Sequence, residues 1–64
     1  MSQDPAVRAS DAEREAVVTR LQTAVGEGRI DLDEFGQRVE AAYAATTVGE
    51  LDGLLTDLPA PAAA

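Results

Sequence analysis

Cysteine, histidine, lysine and tryptophan are all missing from this 64-residue chain. Without cysteine the chain has neither a disulfide nor a thiolate metal site. Without histidine it lacks the usual general base near neutral pH and the commonest metal ligand. Without lysine no Schiff base can form, except at the amino terminus. We therefore expect no enzyme activity, no cofactor and no bound metal.

Aromatic residues and positive charges are scarce as well. Phe35 and Tyr43 are the only aromatic side chains, and five arginines face twelve acidic residues, which gives a formal net charge of −7. So short a chain forms one small domain at most, and its alanine-rich apolar content predicts a thin core. No apolar run approaches the roughly 18 residues that cross a membrane, and no export signal opens the chain. We expect no direct insertion of this segment into a membrane.

Three helical patterns are present, and each opens with a capping box. In such a box a Ser, Thr or Asp side chain accepts from the third following N–H, and the acid at that position reaches back. The boxes begin at Ser10, Asp31 and Thr47. Together with the apolar periodicity, they predict helices over residues 11–27, 32–45 and 48–57. Short connections favour an all-α fold, an antiparallel hairpin with a short third helix across its open side.

The predicted domain boundaries follow from these helices. The three-helix domain covers residues 10–58, behind a flexible N-terminal leader over residues 1–9. Residues 59–64 alternate proline with alanine and then end in alanines, so we expect a disordered tail.

Several local contacts are predicted inside the domain. Gly28 should take the left-handed conformation that ends the first helix. Ile30 and Phe35 form a hydrophobic staple at the start of the second. Glu34 and Arg38, four residues apart in the favourable order, form a helical ion pair.

Arg14 falls inside the apolar stripe of the first helix, about 60° from Val17 at 100° per residue. Two interpretations remain open. The side chain extends along the stripe and keeps its charge in water, or it forms an internal pair. The partner would then be Asp57 or the last carbonyls of the third helix.

Two segments resemble ligand-binding loops only superficially. Segment 31–36 has the acidic spacing of a calcium loop, but Phe35 and Ala42 stand where oxygen ligands are required. Segment 26–29 is glycine-rich, but it follows a helix, whereas a phosphate-binding loop precedes one. We interpret the first as a helix N-cap and the second as a helix C-cap.

The outline of two helices joined by a tight turn is also that of a DNA-reading helix-turn-helix. The second helix carries Asp33, Glu34 and Glu40 against a single Arg38, so phosphate would be repelled and we expect no nucleic-acid partner. A catalytic fragment is the least favoured hypothesis, because the hydroxyl residues have no base to activate them.

A thin core makes the isolated domain marginally stable, so covering its apolar margin with a protein partner or a second copy would stabilise it. We therefore expect a protein–protein interaction or self-association module. The predicted contact surface comprises Val18, Tyr43, Leu51, Leu54, Leu55 and Leu58. The alternative is a small acidic regulator that binds a basic protein by charge and loses it at high salt.

Three stretches with a joint spacing cover nearly the whole domain: RASDAER at 8–14, GRIDLDEF followed by RV at 28–39, and AATT, EL and DLP within 44–59. Over residues 7–59 they resemble the SHOCT-like domain of unknown function 1707, which is common in actinobacteria. The resemblance implies a helical module for oligomerisation or protein contacts, without catalytic residues. It also implies an N-terminal position in membrane- or envelope-associated proteins. We expect a cytoplasmic location. If the domain is part of a longer protein, we expect it at the cytoplasmic side of the membrane.

Recurrent charged positions of that family fall here on four arginines and one aspartate. They are Arg8, Arg14, Arg29, Arg38 and Asp57. The resemblance implies that they form an ion-pair framework that ties the helices together.

Overall fold

The computed structural model describes residues 4–59, and in that part of the chain it contains three helices and no strand. They are α1 (Asp11–Gly26), α2 (Leu32–Ala44) and α3 (Val48–Gly53). The first two pack as a hairpin, and α3 contacts α1. The predicted fold class is therefore confirmed. The predicted leader and tail extend into residues 1–3 and 60–64, which lie outside the described residues.

The starts of α1 and α2 are set by the predicted caps. The Ser10 hydroxyl accepts from the Glu13 N–H at 3.1 Å, and the Glu13 carboxylate accepts from the Ser10 N–H at 2.8 Å, which completes the capping box. At α2 the Asp31 carboxylate accepts from the Glu34 N–H at 2.8 Å. Glu34 does not complete this second box, because its own carboxylate binds Arg38.

The start of α3 is held by a threonine pair. The Thr47 hydroxyl accepts from the Glu50 N–H at 3.3 Å. One Glu50 oxygen in turn accepts from the Thr46 hydroxyl at 2.8 Å, the Thr46 N–H at 3.2 Å and the Thr47 hydroxyl at 3.2 Å. These donors favour the charged carboxylate and lower the pKa of Glu50, with Thr46 the main cause.

The end of α1 confirms the prediction for Gly28, whose φ is +76°. Its N–H donates to the Val25 carbonyl at 3.0 Å, and the Arg29 N–H donates to the Ala24 carbonyl at 2.9 Å. These two bonds are the Schellman pattern, in which a left-handed residue lets the chain turn back over the helix end. The turn carries the chain directly into α2.

The third helix is shorter than predicted, because α3 ends at Gly53 and not at residue 57. Beyond it the N–H groups of Leu54, Leu55 and Leu58 bond to carbonyls three residues back, in tight turns. An α-helix through residue 57 would pair the Leu54 carbonyl with the Leu58 N–H. That carbonyl instead accepts from Arg38 at 3.0 Å, a tertiary contact that helical periodicity does not reveal.

Residues 4–9, which we call the N-terminal strap, run beside the loop that starts α3. Backbone hydrogen bonds join Ala9 to Thr46, Val48 to Val7 and Gly49 to Pro5, at 3.0, 2.8 and 3.0 Å. A Cβ at Gly49 would lie 3.0 Å from the Pro5 oxygen, so any larger residue there would push the two segments apart by a few tenths of an ångström. The sequence did not predict these bonds. The flexibility of residues 1–9 stays a prediction.

The core lies between the hairpin and α3 and is as thin as the alanine content predicts. The buried residues are Val17, Leu21, Ala24, Ile30, Ala42, Ala45 and Leu51. Leu21 and Leu51 are the largest fully buried side chains. Half-buried apolar residues, Phe35 and Val39 among them, pack around this centre. With so few large side chains inside, polar contacts at the helix ends carry more weight.

Candidate interaction face

Arginines from neighbouring helices close the C-terminal ends of α2 and α3, which have no basic residue in their own last turns. Arg14 donates through Nη2 to the carbonyl of Ala45, the C-cap of α2, at 2.9 Å. Arg38 donates through Nη1 to the carbonyl of Leu54, the C-cap of α3, at 3.0 Å. A cation at a helix C-terminus complements the helix dipole, and each bond is charge-assisted.

Arg14 forms an internal contact, although not with the partners expected for it. Its Nε and Nη2 share the Ala45 carbonyl, and its Nη1 contacts the exposed Asp11 at 3.1 Å. The end that it closes therefore belongs to α2 and not to α3, and Asp57 pairs with Arg38 instead. The reason is topological, because the antiparallel hairpin places the first turn of α1 beside the last turn of α2.

Arg38 connects α2 to the segment after α3. Its guanidinium forms a bidentate pair with Asp57, with both N–O distances 2.8 Å, and its Nε donates to Glu34 at 3.0 Å. The Glu34–Arg38 pair is thus confirmed. Only 16% of the Arg38 side chain is exposed. Hydrogen bonding to Arg38 lowers the pKa of Asp57, and the bond to Asp57 is the largest cause that raises the pKa of Arg38.

The other two arginines of the implied framework do not tie helices together. Arg29 pairs with Glu27 at 2.9 Å, two residues away in the same turn. Arg8 is exposed on the N-terminal strap, and no carboxylate within residues 4–59 pairs with it. Its contribution is a backbone bridge to Thr47.

Arg20 forms a contact with Pro59 that the sequence did not predict. Its Nη2 donates to the Pro59 carbonyl at 3.1 Å and holds the end of the described chain against α1. Arg20 lies about 60° from buried Val17 on the helical wheel. An arginine so close to the buried stripe was the one signal in the sequence that pointed to such a contact.

The four leucines of the predicted contact surface, in α3 and the segment after it, are buried or half-buried. Leu51 is only 2% exposed and belongs to the core, which corrects its place in that prediction. Leu54, Leu55 and Leu58 are half-buried, because the tight turns after α3 fold them back onto the core. Val18 is half-buried on α1, whereas Tyr43 is 59% exposed on α2.

One side of the α1–α2 hairpin is covered, as its two arginines show. Around its own helix axis, each arginine lies about 60° from the buried stripe of that helix: Arg20 on α1 and Arg38 on α2. The direction of rotation is the same in both helices. In antiparallel helices equal rotation brings residues to the same side of the pair, and there these arginines bind Pro59 and Asp57.

The opposite side is uncovered by any helix within residues 4–59, and we call it the open face. It consists of Val18, Gln22, Val25, Leu32, Phe35 and Tyr43. Leu32 and Tyr43 are 72% and 59% exposed. At the hairpin end, Gln22, Val25, Leu32 and Phe35 line a groove of about 250 Å³. The open face keeps Val18 and Tyr43 from the predicted contact surface and adds Leu32, which that prediction did not include.

Acidic residues border the open face on both helices. Glu15 lies about 60° beyond Val18 on α1, and Glu40 lies about 60° beyond Tyr43 on α2. Asp33 follows Leu32 at the start of α2. All three side chains are exposed, and none has an ion-pair partner within residues 4–59. This side of the domain therefore has an apolar centre between two acidic margins.

Two further features bear on the kind of site. Within the described residues no helix combines the length and apolar character needed to cross a membrane. In the same range no three acidic side chains come together in a group that could hold a metal ion. The absence of enzyme activity and of a cofactor stays a prediction.

This architecture defines a small all-α domain with one covered and one open side of its helical hairpin. The chain belongs to the DUF1707 SHOCT-like domain family, whose family model matches residues 7–59. The resemblance found in the sequence is thus confirmed.

Curated relatives come from Mycobacterium tuberculosis. The chain is 44% identical over 61 residues to the uncharacterized protein Rv0966c, a match that covers 95% of this chain and 30% of that protein. It is 38% identical over 53 residues to the uncharacterized protein Rv0048c, covering 83% of this chain and 18% of that protein. The chain thus spans less than a third of the length of either relative. No solved structure matches it.

Proposed function

We propose that this chain is a non-catalytic helical module for protein–protein contacts, self-association included. The observation that carries the proposal is the open face. Leu32 and Tyr43 remain largely exposed in a chain with few large apolar residues. Exposed apolar patches on small domains commonly mark interaction sites, and covering one would stabilise a thin core.

The non-catalytic part of the proposal is supported by chemistry. The chain has no histidine, cysteine or lysine to act as base or nucleophile. Its arginines mostly serve as structural contacts at helix ends, as Arg14 and Arg38 illustrate.

The setting of the module is the other part of the proposal. Family resemblance supports an N-terminal domain of envelope- or membrane-associated proteins, at the cytoplasmic side. The two relatives are compatible with a domain joined to a longer chain, since most of their length lies outside the match.

A second candidate is an acidic regulator that captures a basic protein by charge. The net charge of −7 favours it, as do the carboxylates of Glu15, Asp33 and Glu40 beside the open face, which have no ion-pair partner among residues 4–59. It differs from the first candidate in relying on charge alone, so rising salt would abolish its binding.

Site-specific photo-crosslinking in cells tests the proposal. A photoreactive amino acid at Tyr43 should yield a covalent adduct, whose mass tells a second copy from another protein. The same group at the exposed Asp52 of α3 is the matched control and should give little adduct. The same group is also placed at Leu32. If neither Tyr43 nor Leu32 gave an adduct, and light scattering showed a monomeric mass at every concentration, an interaction function would be refuted.

A further inference from the structure

The open face combines an apolar centre with acidic margins that have no ion-pair partner in the described part of the chain, and this combination indicates the chemistry of its partner. We propose that it binds a cationic amphipathic helix of another protein, with an apolar stripe flanked by Lys or Arg. This inference rests on the proposed interaction function and adds the class of partner.

The shape of the open face fits a helix lying along α2. Leu32 and Tyr43 are eleven positions apart, so their side chains are separated by about 16 Å, or three helical turns. At the Leu32 end, the groove of about 250 Å³ offers a place for one large aliphatic side chain. Such helix-in-groove binding uses apolar anchors that recur every three to four residues.

Gly36 lies on the same side of α2, between the two exposed apolar residues. A Cβ built there would meet no atom of residues 4–59 within 4 Å. The surface is therefore flat at this point, and the backbone of a second helix can approach α2 closely, as small residues permit at helix crossings.

The charges around the face select the sign of the partner. Arg14, Arg20, Arg29 and Arg38 are all engaged in hydrogen bonds within the chain. The carboxylates that border the open face have no such partners within residues 4–59. The margins thus present uncompensated negative charge, and electrostatic complementarity requires basic residues on the helix that covers them.

A second copy of the chain is the weaker occupant on the same grounds. A two-fold symmetric contact would place the same patch on both sides of the interface. The acidic margins of two such patches would then meet, and each copy carries a formal charge of −7. Like charges brought together oppose that association, whereas a cationic helix removes the repulsion.

Three designed helical peptides test the proposal by fluorescence anisotropy with the full chain. They share one leucine stripe and differ only in flanking residues: Lys and Arg, Gln, or Glu. We expect the cationic peptide to bind about tenfold more tightly than the Glu-flanked peptide at low salt, and this preference to shrink as salt is raised. The Gln-flanked peptide should fall between them and respond little to salt.

Variants of exposed residues locate the binding site. Replacement of Leu32 and Tyr43 together by serine should weaken binding of the cationic peptide about tenfold or more, since anchors of this kind dominate interfaces. Asp33→Asn with Glu40→Gln should weaken it about two- to fivefold and leave the Gln-flanked peptide unaffected. The matched controls are Val7→Ser, an exposed apolar residue of the strap, and Asp52→Asn on α3. Circular dichroism verifies that each variant is folded.

Four results would overturn the inference. One is equal affinity for the three peptides, and another is a loss in the control variants as large as in the open-face variants. The third is a dimer in light scattering that Tyr43→Ser dissolves, which would make a second copy the occupant. In this third case, or in the fourth, in which Tyr43 crosslinks to another protein while no peptide binds, the proposed interaction function stands and only the cationic partner is refuted.

Discussion

The two sides of the α1–α2 hairpin differ in how their surface is completed. On the covered side Arg20 and Arg38 bind the segment after α3, and Asp57 is held in a bidentate pair. On the open face Leu32 and Tyr43 lie in solvent beside carboxylates that have no ion-pair partner within residues 4–59. The same pair of helices thus uses one side for its own stability and leaves the other available.

The comparison predicts that substitutions on the covered side act on folding and those on the open face act on binding. The largest effect is expected from Arg38→Met, which removes the Asp57 pair and leaves the Leu54 carbonyl without its donor. We expect a loss of about 2 kcal/mol in the free energy of unfolding, measured by urea denaturation. In a domain with so thin a core, this loss unfolds a visible fraction of the molecules.

Arg8→Met is the matched control, because Arg8 is exposed and has no ion pair within the described residues. Its free energy of unfolding should change by less than about 0.5 kcal/mol. If the two arginine variants were equally stable, the Arg38 contacts would add nothing, and the distinction between the two sides would collapse.

Replacing glycine by alanine should have opposite effects at two positions, one on the open face and one beside the N-terminal strap. Gly36→Ala on the open face should stabilise the domain by about 0.5–1 kcal/mol, because alanine favours helix and no atom of the described residues lies within 4 Å of the new methyl group. Gly49→Ala places its methyl group 3.0 Å from Pro5, so the N-terminal strap must move. We expect that displacement to cancel the helical gain.

Thermal melting of the two alanine variants side by side measures this difference. Gly36→Ala should melt above the wild-type chain, and Gly49→Ala at or below it. Equal stabilisation by both would show that the strap does not rest on Gly49. A lower affinity of Gly36→Ala for the cationic peptide would in addition support close approach of a helix at that position.

The smallest effect expected is a dependence of stability on pH. Arg38 lowers the pKa of Asp57 in the folded chain. A carboxyl group whose pKa is lower when folded stabilises the fold above its unfolded pKa, and this contribution disappears as pH falls through the folded pKa. Melting temperatures from neutral pH down to about pH 2.5 should therefore fall more steeply in the wild-type chain than in Asp57→Asn.

Glu50 provides a second test of the same kind, because its pKa is lowered by Thr46 and Thr47 and not by an arginine. Glu50→Gln should also reduce the fall in melting temperature between neutral and acidic pH. If Asp57→Asn retained the full wild-type slope while Glu50→Gln lost it, the Arg38–Asp57 pair would make no contribution in solution.

The sequence predicted those parts of the fold that are decided locally. The Ser10, Asp31 and Thr47 caps each accept from an N–H three residues away, and Gly28 acts through its own backbone conformation. Each signal is complete within a few residues of chain, so periodicity and residue type were sufficient to find it.

The parts that sequence did not predict depend on contacts between distant segments. The end of α3 depends on Arg38, sixteen residues before the carbonyl that it binds. The partner of Arg14 lies thirty-one residues away. The open face was predicted only in part, at Val18 and Tyr43, for a related reason. The apolar stripe of α2 is wider than the part that α1 covers, and Leu32 and Tyr43 lie on its uncovered edge.

The Arg20–Pro59 bond has a mechanical consequence. A pull on the chain beyond Pro59 acts first on this single hydrogen bond at the outside of α1, and only afterwards on the Arg38–Asp57 pair. The contacts are then loaded one after another, so we expect the segment after α3 to separate from the hairpin before the hairpin itself opens. The domain should yield to tension stepwise from its C-terminal side.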